Sequence, residues 1–154
     1  MPRPIQATIH TQALRHNLAR AARAVPNARV WAVVKANAYG HGAVTIARAL
    51  QAIVDALAVA CIEEAVELRD AGITAPILLL EGVFEATELA PAAQLDLWLT
   101  IGNERQLRWL EEARLPAPLT CWLKVDTGMH RLGVAPETVL HCYQRLSASD
   151  NAVD

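Results

Sequence analysis

The 154-residue chain reads as an α/β protein, a (β/α)8 TIM-type barrel of which about the first five βα units are present. Three observations predict this. Apolar runs beginning near residues 29, 56, 76, 95 and 120 alternate with helical patterns, the order of a parallel sheet with helices outside. These runs are nearly continuous in apolar residues, as strands covered on both faces must be. An open doubly wound sheet competes, but its G-x-G-x-x-G turn is missing, and the first strand is followed only by GHG at 40–42. Five units in about 125 residues scale to about eight in the roughly 250 of a complete barrel. The chain is therefore expected to be the N-terminal portion of a barrel, 1–154, stopping at DNAVD in the approach to a sixth strand.

The elements follow in order. QATIH (6–10) predicts a short strand. Thr11 is placed to cap a helix whose apolar face is Leu14, Leu18, Ala22 and Val25, ended by Pro26. ARVWAVVKA (28–36) predicts a buried strand, and a helix follows over 43–51. ALAVA (56–60) is the next strand. Residues 61–71 predict a helix with Ile62, Ala65, Val66 and Arg69 on one face and Gly72 at its C-terminal end. PILLLEG (76–82) is a strand, 85–90 a helix, and LDLWLT (95–100) a strand. Asn103 suits the cap of a helix running to Ala113 with Leu107 and Leu110 inward. TCWLKVD (120–126) is a strand, and Pro136 sits at the first turn of a last helix through Leu146.

Composition excludes several classes. Hydrophobic residues make up 53% and charged residues 19%, which sets the chain among folded proteins and not disordered ones. A net charge of -2 offers no footprint for nucleic acid or an anionic membrane. Residues 1–6 carry no apolar signal segment, and no run approaches the roughly 18 apolar residues of a membrane span. Cys61, Cys121 and Cys142 are odd in number and far apart, so reduced thiols and a cytoplasmic setting are expected. The five histidines have no metal-binding spacing, and no metal is expected. Glu63 and Glu64 open a helix, where the dipole favours carboxylates. Trp31, Trp98 and Trp122 fall in strands and Trp109 in a helix, where packing accounts for them.

Two stretches carry chemistry. In AVVKANAYGHG (32–42), Lys35 ends an apolar strand, where parallel α/β proteins place their functional groups. It reads either as a lysine snorkelling at a rim or as an amine of lowered pKa able to form a Schiff base. Tyr39 offers a hydroxyl to a phosphate, and Gly40 and Gly42 allow backbone to approach an anion. Lysine for an aldehyde with tyrosine and glycines for a phosphate suits pyridoxal 5'-phosphate (PLP). In WLKVDTGMHRLG (122–133), Lys124 and Asp126 are two residues apart and share a strand face. They form either an ion pair sealing the barrel end or part of a site with Arg131, whose planar fork suits a carboxylate or the cofactor.

Together AVVKANAYGHG, LLLEG (78–82) and WLKVDTGMHRLG resemble alanine racemase, a fold-type III PLP enzyme, and the similarity runs from QATIHTQALRHNL onward. The resemblance implies that Lys35 holds PLP and serves as the base on the D-alanine side. It implies that Tyr39 bonds the PLP phosphate, that Leu80 touches the cofactor, and that Arg131 lies near the cofactor's phenolic oxygen and the substrate carboxylate. Lys124 resembles a lysine carbamylated in some members. Asn37 and His41 complete the motif without a catalytic role. The implied protein is a homodimer acting on alanine, for peptidoglycan precursors or alanine catabolism. Its second base, a tyrosine of a C-terminal β domain on the partner subunit, has no match here, so the chain alone is expected to be inactive. A PLP-binding barrel protein without racemase activity is the alternative.

Overall fold

Six strands lie side by side in chain order. In the computed structural model, which describes residues 7–153, they are β1 (Trp31–Val33), β2 (Ala56–Val59), β3 (Ile77–Leu79), β4 (Leu97–Ile101), β5 (Leu119–Leu123) and β6 (Ala152–Val153). Every adjacent pair is parallel, and the order β1-β2-β3-β4-β5-β6 never reverses. A doubly wound sheet needs a reversal at its switch point. Sequential parallel growth is instead the arc of a barrel, and β6 extends it as expected by pairing Leu119 with Ala152.

Alternation along each strand sorts side chains to two faces. Register sets Leu57, Val59, Ile77, Leu79, Leu97, Leu99 and Ile101 on one face, all buried. Helices cover it with Ile46, Ala47 and Leu50 of α3 (Ala43–Leu50), Ala65 and Leu68 of α4 (Ile62–Asp70), and Leu107 and Leu110 of α6 (Glu104–Glu112). Each fully buried leucine contributes roughly 1.5–3 kcal/mol relative to exposure. The other, concave face carries Trp31, Val33, Ala58, Leu78, Trp98, Thr100 and Trp122. There Trp31 meets Trp122 and Trp98 edge-on at 4.7 and 5.8 Å between ring centroids, and Trp98 lies 6.0 Å from Trp122.

Helix ends follow local chemistry. The Asn103 side chain accepts the Gln106 N–H at 2.9 Å, capping α6 as expected. Pro136 opens a 3-10 turn (Pro136–Thr138) that leads into α7 (Val139–Ser147). The three cysteines are free, and burial pushes the Cys121 thiol up to about 12. No helix among the described residues is long and apolar enough to cross a membrane.

Several expectations are corrected. Gln6 lies outside the described residues, and 7–10 form no strand; the His10 carbonyl instead accepts the Leu14 N–H in the first turn of the following helix. Thr11 is the first residue of α1 (Thr11–Ala24) and not its cap, and Val25 falls beyond the helix and is exposed. In α4 the buried face is Ile62, Ala65 and Leu68, spaced by threes, which turns Val66 outward. The helix expected at 85–90 is a 3-10 turn (Ala86–Glu88) followed by α5 (Leu89–Gln94). The strand expected over 28–36 is shorter at both ends, and the one expected over 120–126 begins at Leu119 but stops at Leu123; both stop early where the chain leaves the sheet at the residues that build the candidate site.

Candidate active site at the strand C-termini

Lys35 sits where β1 ends. Val34 still donates to the Ala58 carbonyl at 2.8 Å, continuing the ladder. The chain then enters α2 (Lys35–Gly40), and Ala36, Asn37, Ala38 and Tyr39 have φ of 51, 53, 51 and 55°. These are left-handed values, which cost an L-residue roughly 1–2 kcal/mol each. Such a run persists only where its surroundings hold it. Ala38 N–H donates to the Val34 carbonyl at 2.8 Å, and Gly42 N–H to the Asn37 carbonyl at 2.9 Å. Asn37 Oδ1 accepts the Ala43 N–H at 2.7 Å, tying the turn to the start of α3. His41 Nδ1–H donates to the Ala38 carbonyl at 2.8 Å. The Glu64 carboxylate accepts Ala36 N–H at 2.6 Å and Ala60 N–H at 2.8 Å. Gly40 and Gly42 both take positive φ, 83 and 91°.

The third strand supplies Leu80, whose N–H still donates to the Val59 carbonyl at 2.9 Å, and Glu81 after it. The Glu81 carbonyl accepts from Gln106 Nε2 at 2.8 Å, one of three bonds that this buried amide makes to the two loops beside it.

The fifth strand supplies the rest. Lys124 lies one residue past β5, with its N–H on the Ile101 carbonyl at 2.8 Å. Its own carbonyl accepts the Val134 N–H at 2.8 Å, and Asp126 N–H donates to the Val134 carbonyl at 2.9 Å. This bridge pinches the neck of the loop that carries Arg131. At Gly133, φ is 126° and a Cβ would stand 2.5 Å from the Asp126 nitrogen, so only glycine fits the pinch. Asp126 does not pair with Lys124. Its Oδ1 accepts the Gly128 and His130 N–H groups, each at 3.0 Å, and its Oδ2 meets His130 Nδ1 at 3.0 Å. The loop N–H groups of His130 and Gly128 hold the Asp126 carboxyl below the usual range. The loop closes on itself through the Asp126 carboxylate, so of the two alternatives the Lys124–Asp126 ion pair is the one that does not form.

These three strand ends meet in one cleft of about 250 Å³ lined by Lys35, Leu80, Glu81, Lys124, Arg131 and Leu132. Three cationic side chains face one carboxylate there. Of the residues singled out in the sequence, Lys35, Leu80, Lys124 and Arg131 are brought together. Tyr39 is not among the lining residues. It is 62% exposed and lines a separate groove with Val33, His10 and Leu14. Glu64 and Gln106, which brace the strand ends, were missed as site supports. Each is the third residue of its helix, where a reach-back bond is the capping-box signal, but neither follows a Ser or Thr cap.

A parallel barrel arc with lysine and arginine at its strand C-termini defines the class: a (β/α)-barrel scaffold with a candidate site at its strand ends. Known proteins sharpen this. Residues 9–154 match the family Alanine racemase, N-terminal domain. The chain is 57% identical over 147 residues to alanine racemase from Pseudomonas taetrolens, covering 96% of this chain and 41% of that protein. It is 56% identical over 147 residues to the catabolic alanine racemase of Pseudomonas putida, with the same coverage. Its structure is similar to the crystal structure of the biosynthetic alanine racemase from Pseudomonas aeruginosa, with a TM-score of 0.88 and 47% identity over 94% of this chain and 40% of that one. The alanine racemase of E. faecalis follows at 0.85 and 35%, again over 94% of this chain and 40% of that one. The chain belongs to the alanine racemase N-terminal domain family, and it spans about two fifths of the length of these relatives.

Proposed function

We propose that this chain contributes the lysine side of the active site of a PLP-dependent alanine racemase that interconverts L- and D-alanine. The observation that carries the reading is the cleft joining Lys35, Leu80, Lys124 and Arg131 at the ends of three strands. Its lining suits the cofactor: an amine for the aldehyde, apolar Leu80 and Leu132 for the ring, and an excess of positive charge for anionic groups. Lys35 would hold PLP through Nζ, and Tyr39, four residues on in the same turn, would offer its hydroxyl to the phosphate. When bound, the cofactor's ring withdraws electrons from Cα of alanine and acidifies its proton.

The remaining work belongs to the chain. Lys35 Nζ, once the substrate amine has displaced it and left it a free amine, would take the Cα proton on the D-alanine side, or return it, as general base or acid. Arg131 orients the substrate carboxylate through its planar fork, fixing which face of Cα meets Lys35. Lys124 and Arg131 line the same cleft as like charges. Carbamylation of Lys124 would replace that repulsion with an attraction and hold Arg131 in place. Inversion needs a base on the other face of Cα, which we place on the partner subunit of a homodimer in the cytoplasm. The product serves peptidoglycan precursors or alanine catabolism. Borohydride reduction in the presence of PLP, followed by peptide mapping, tests the reading. The pyridoxyl group is expected on Lys35, and labelling of Lys124 instead would overturn it.

A further inference from the structure

We propose that Glu64 is a positioning residue for Lys35: its carboxylate fixes the peptide plane on which the lysine turns into the cleft. The N–H that Oε1 accepts at 2.6 Å is that of Ala36, so it belongs to the peptide bond joining Lys35 to Ala36. The N–H that Oε2 accepts at 2.8 Å is that of Ala60, the residue directly after β2. One half-buried carboxylate therefore ties the end of β1 to the end of its neighbour and sets where the left-handed turn begins. The inference rests on Lys35 being the PLP-holding lysine.

Another unit of the same fold shows why the group must be a carboxylate. Gln106 holds the corresponding place, third in α6, and its Oε1 accepts the Gly102 N–H four residues back at 2.9 Å. Its Nε2 donates to the Glu81 and Val83 carbonyls of the preceding loop. There the neighbouring loop presents carbonyls, and an amide is the right group. At Glu64 the neighbouring loop presents an N–H, so both side-chain atoms must accept. Glutamine at 64 would set an NH2 against a peptide N–H and leave one of them without a partner. The direction of the Lys35 side chain then loses its anchor while the outer core of α4, built on Ile62, Ala65 and Leu68, is untouched.

The test compares the chain with Glu64→Gln and with Glu63→Gln, which removes a charge from the same helical turn. Amide hydrogen exchange is read at Ala36 and Ala60. Lys35 is probed twice: by acetic anhydride, whose rate needs no cofactor, and by borohydride trapping at limiting PLP. E64Q is expected to speed exchange at both amides by about tenfold or more, the worth of a charged hydrogen bond. It should also change the acetylation rate of Lys35 and lower its trapping severalfold, with E63Q unchanged in every measure. Glu64→Asp keeps the charge but is one methylene too short to reach both amides. It should change the same readouts in smaller measure, which keeps the test open if E64Q does not fold. Unchanged Ala36 exchange in E64Q would overturn the proposal. Faster exchange with unaltered Lys35 acetylation and trapping would reduce Glu64 to a structural brace and overturn it equally. If the parent chain is not trapped at Lys35, the PLP assignment falls, and acetylation still decides what Glu64 does to the lysine.

Discussion

At the scale of single residues, the proposed site rests on Lys124 in the cleft and on Asp126 in the neck of the loop that carries Arg131. If Lys124 carries a carbamate in the working enzyme, Lys124→Ala should lower racemisation in the assembled protein, and a short carboxylic acid added to the assay should restore part of it. Rescue by acetate, measured as D-alanine formed, supports the carbamate, and absence of rescue removes it. Asp126 behaves differently. Its folded pKa is depressed by the loop amides of His130 and Gly128. A carboxyl whose folded pKa lies below its unfolded value stabilises the fold above the unfolded value, near 3.9 for aspartate, and stops doing so as pH falls through the lower folded value. The loop bearing Arg131 should therefore stay closed from neutral pH down to about 4 and loosen below that. Hydrogen exchange across 126–134 follows this directly, and Asp126→Asn should show the loosened exchange already at pH 7. Much of this site was legible, because Lys35, Lys124 and Arg131 stand in long motifs at strand ends. The place of Tyr39 was not. Asn37 is the one residue in Ala-Asn-Ala-Tyr that visits the left-handed region readily, and nothing there signals four such residues in a row; bonds to the Glu64 carboxylate and from Ala43 to Asn37 Oδ1 hold the turn.

At the scale of elements, apolar periodicity found five of the six strands and most of the helices between them, but it gave a strand at 6–10 that residues 7–10 do not form and gave no sign of α2. The apolar run 30–34 continues past Val33, so apolarity alone gives no sign that the strand ends there and that a left-handed turn begins after Lys35. In α4, Val66 is as apolar as a core residue, and only the sheet beneath decides that Leu68 is buried instead. Helix α6 was read correctly because its cap and inward leucines agree. Leu107 is wholly buried between α6 and the sheet. Leu107→Ala should cost about 2–5 kcal/mol of unfolding free energy by urea titration. The exposed Leu140, on the first turn of α7, should tolerate alanine within about 0.5 kcal/mol.

At the scale of the whole molecule, the sheet has two open edges among the described residues, at β1 and β6. Its concave face leaves Val33 42% and Trp122 41% exposed. Unpaired edges and uncovered apolar side chains both favour association. The 154-residue chain on its own is expected to run as an oligomer in size-exclusion chromatography with light scattering, and to form no D-alanine from L-alanine with PLP added. Racemisation at a rate near that of a full-length relative would mean that a second base lies within these residues. The tryptophan trio on that same face has an optical consequence. Three indoles with centroids within 6.0 Å of one another couple their transitions, whereas Trp109 lies apart under the Arg105 guanidinium at 5.0 Å. Excitation absorbed by any one of the three passes to the others before it is emitted. The barrel interior thus carries its own depolarised, exciton-split chromophore, whose circular dichroism reports whether β1, β4 and β5 are in register without any label being attached.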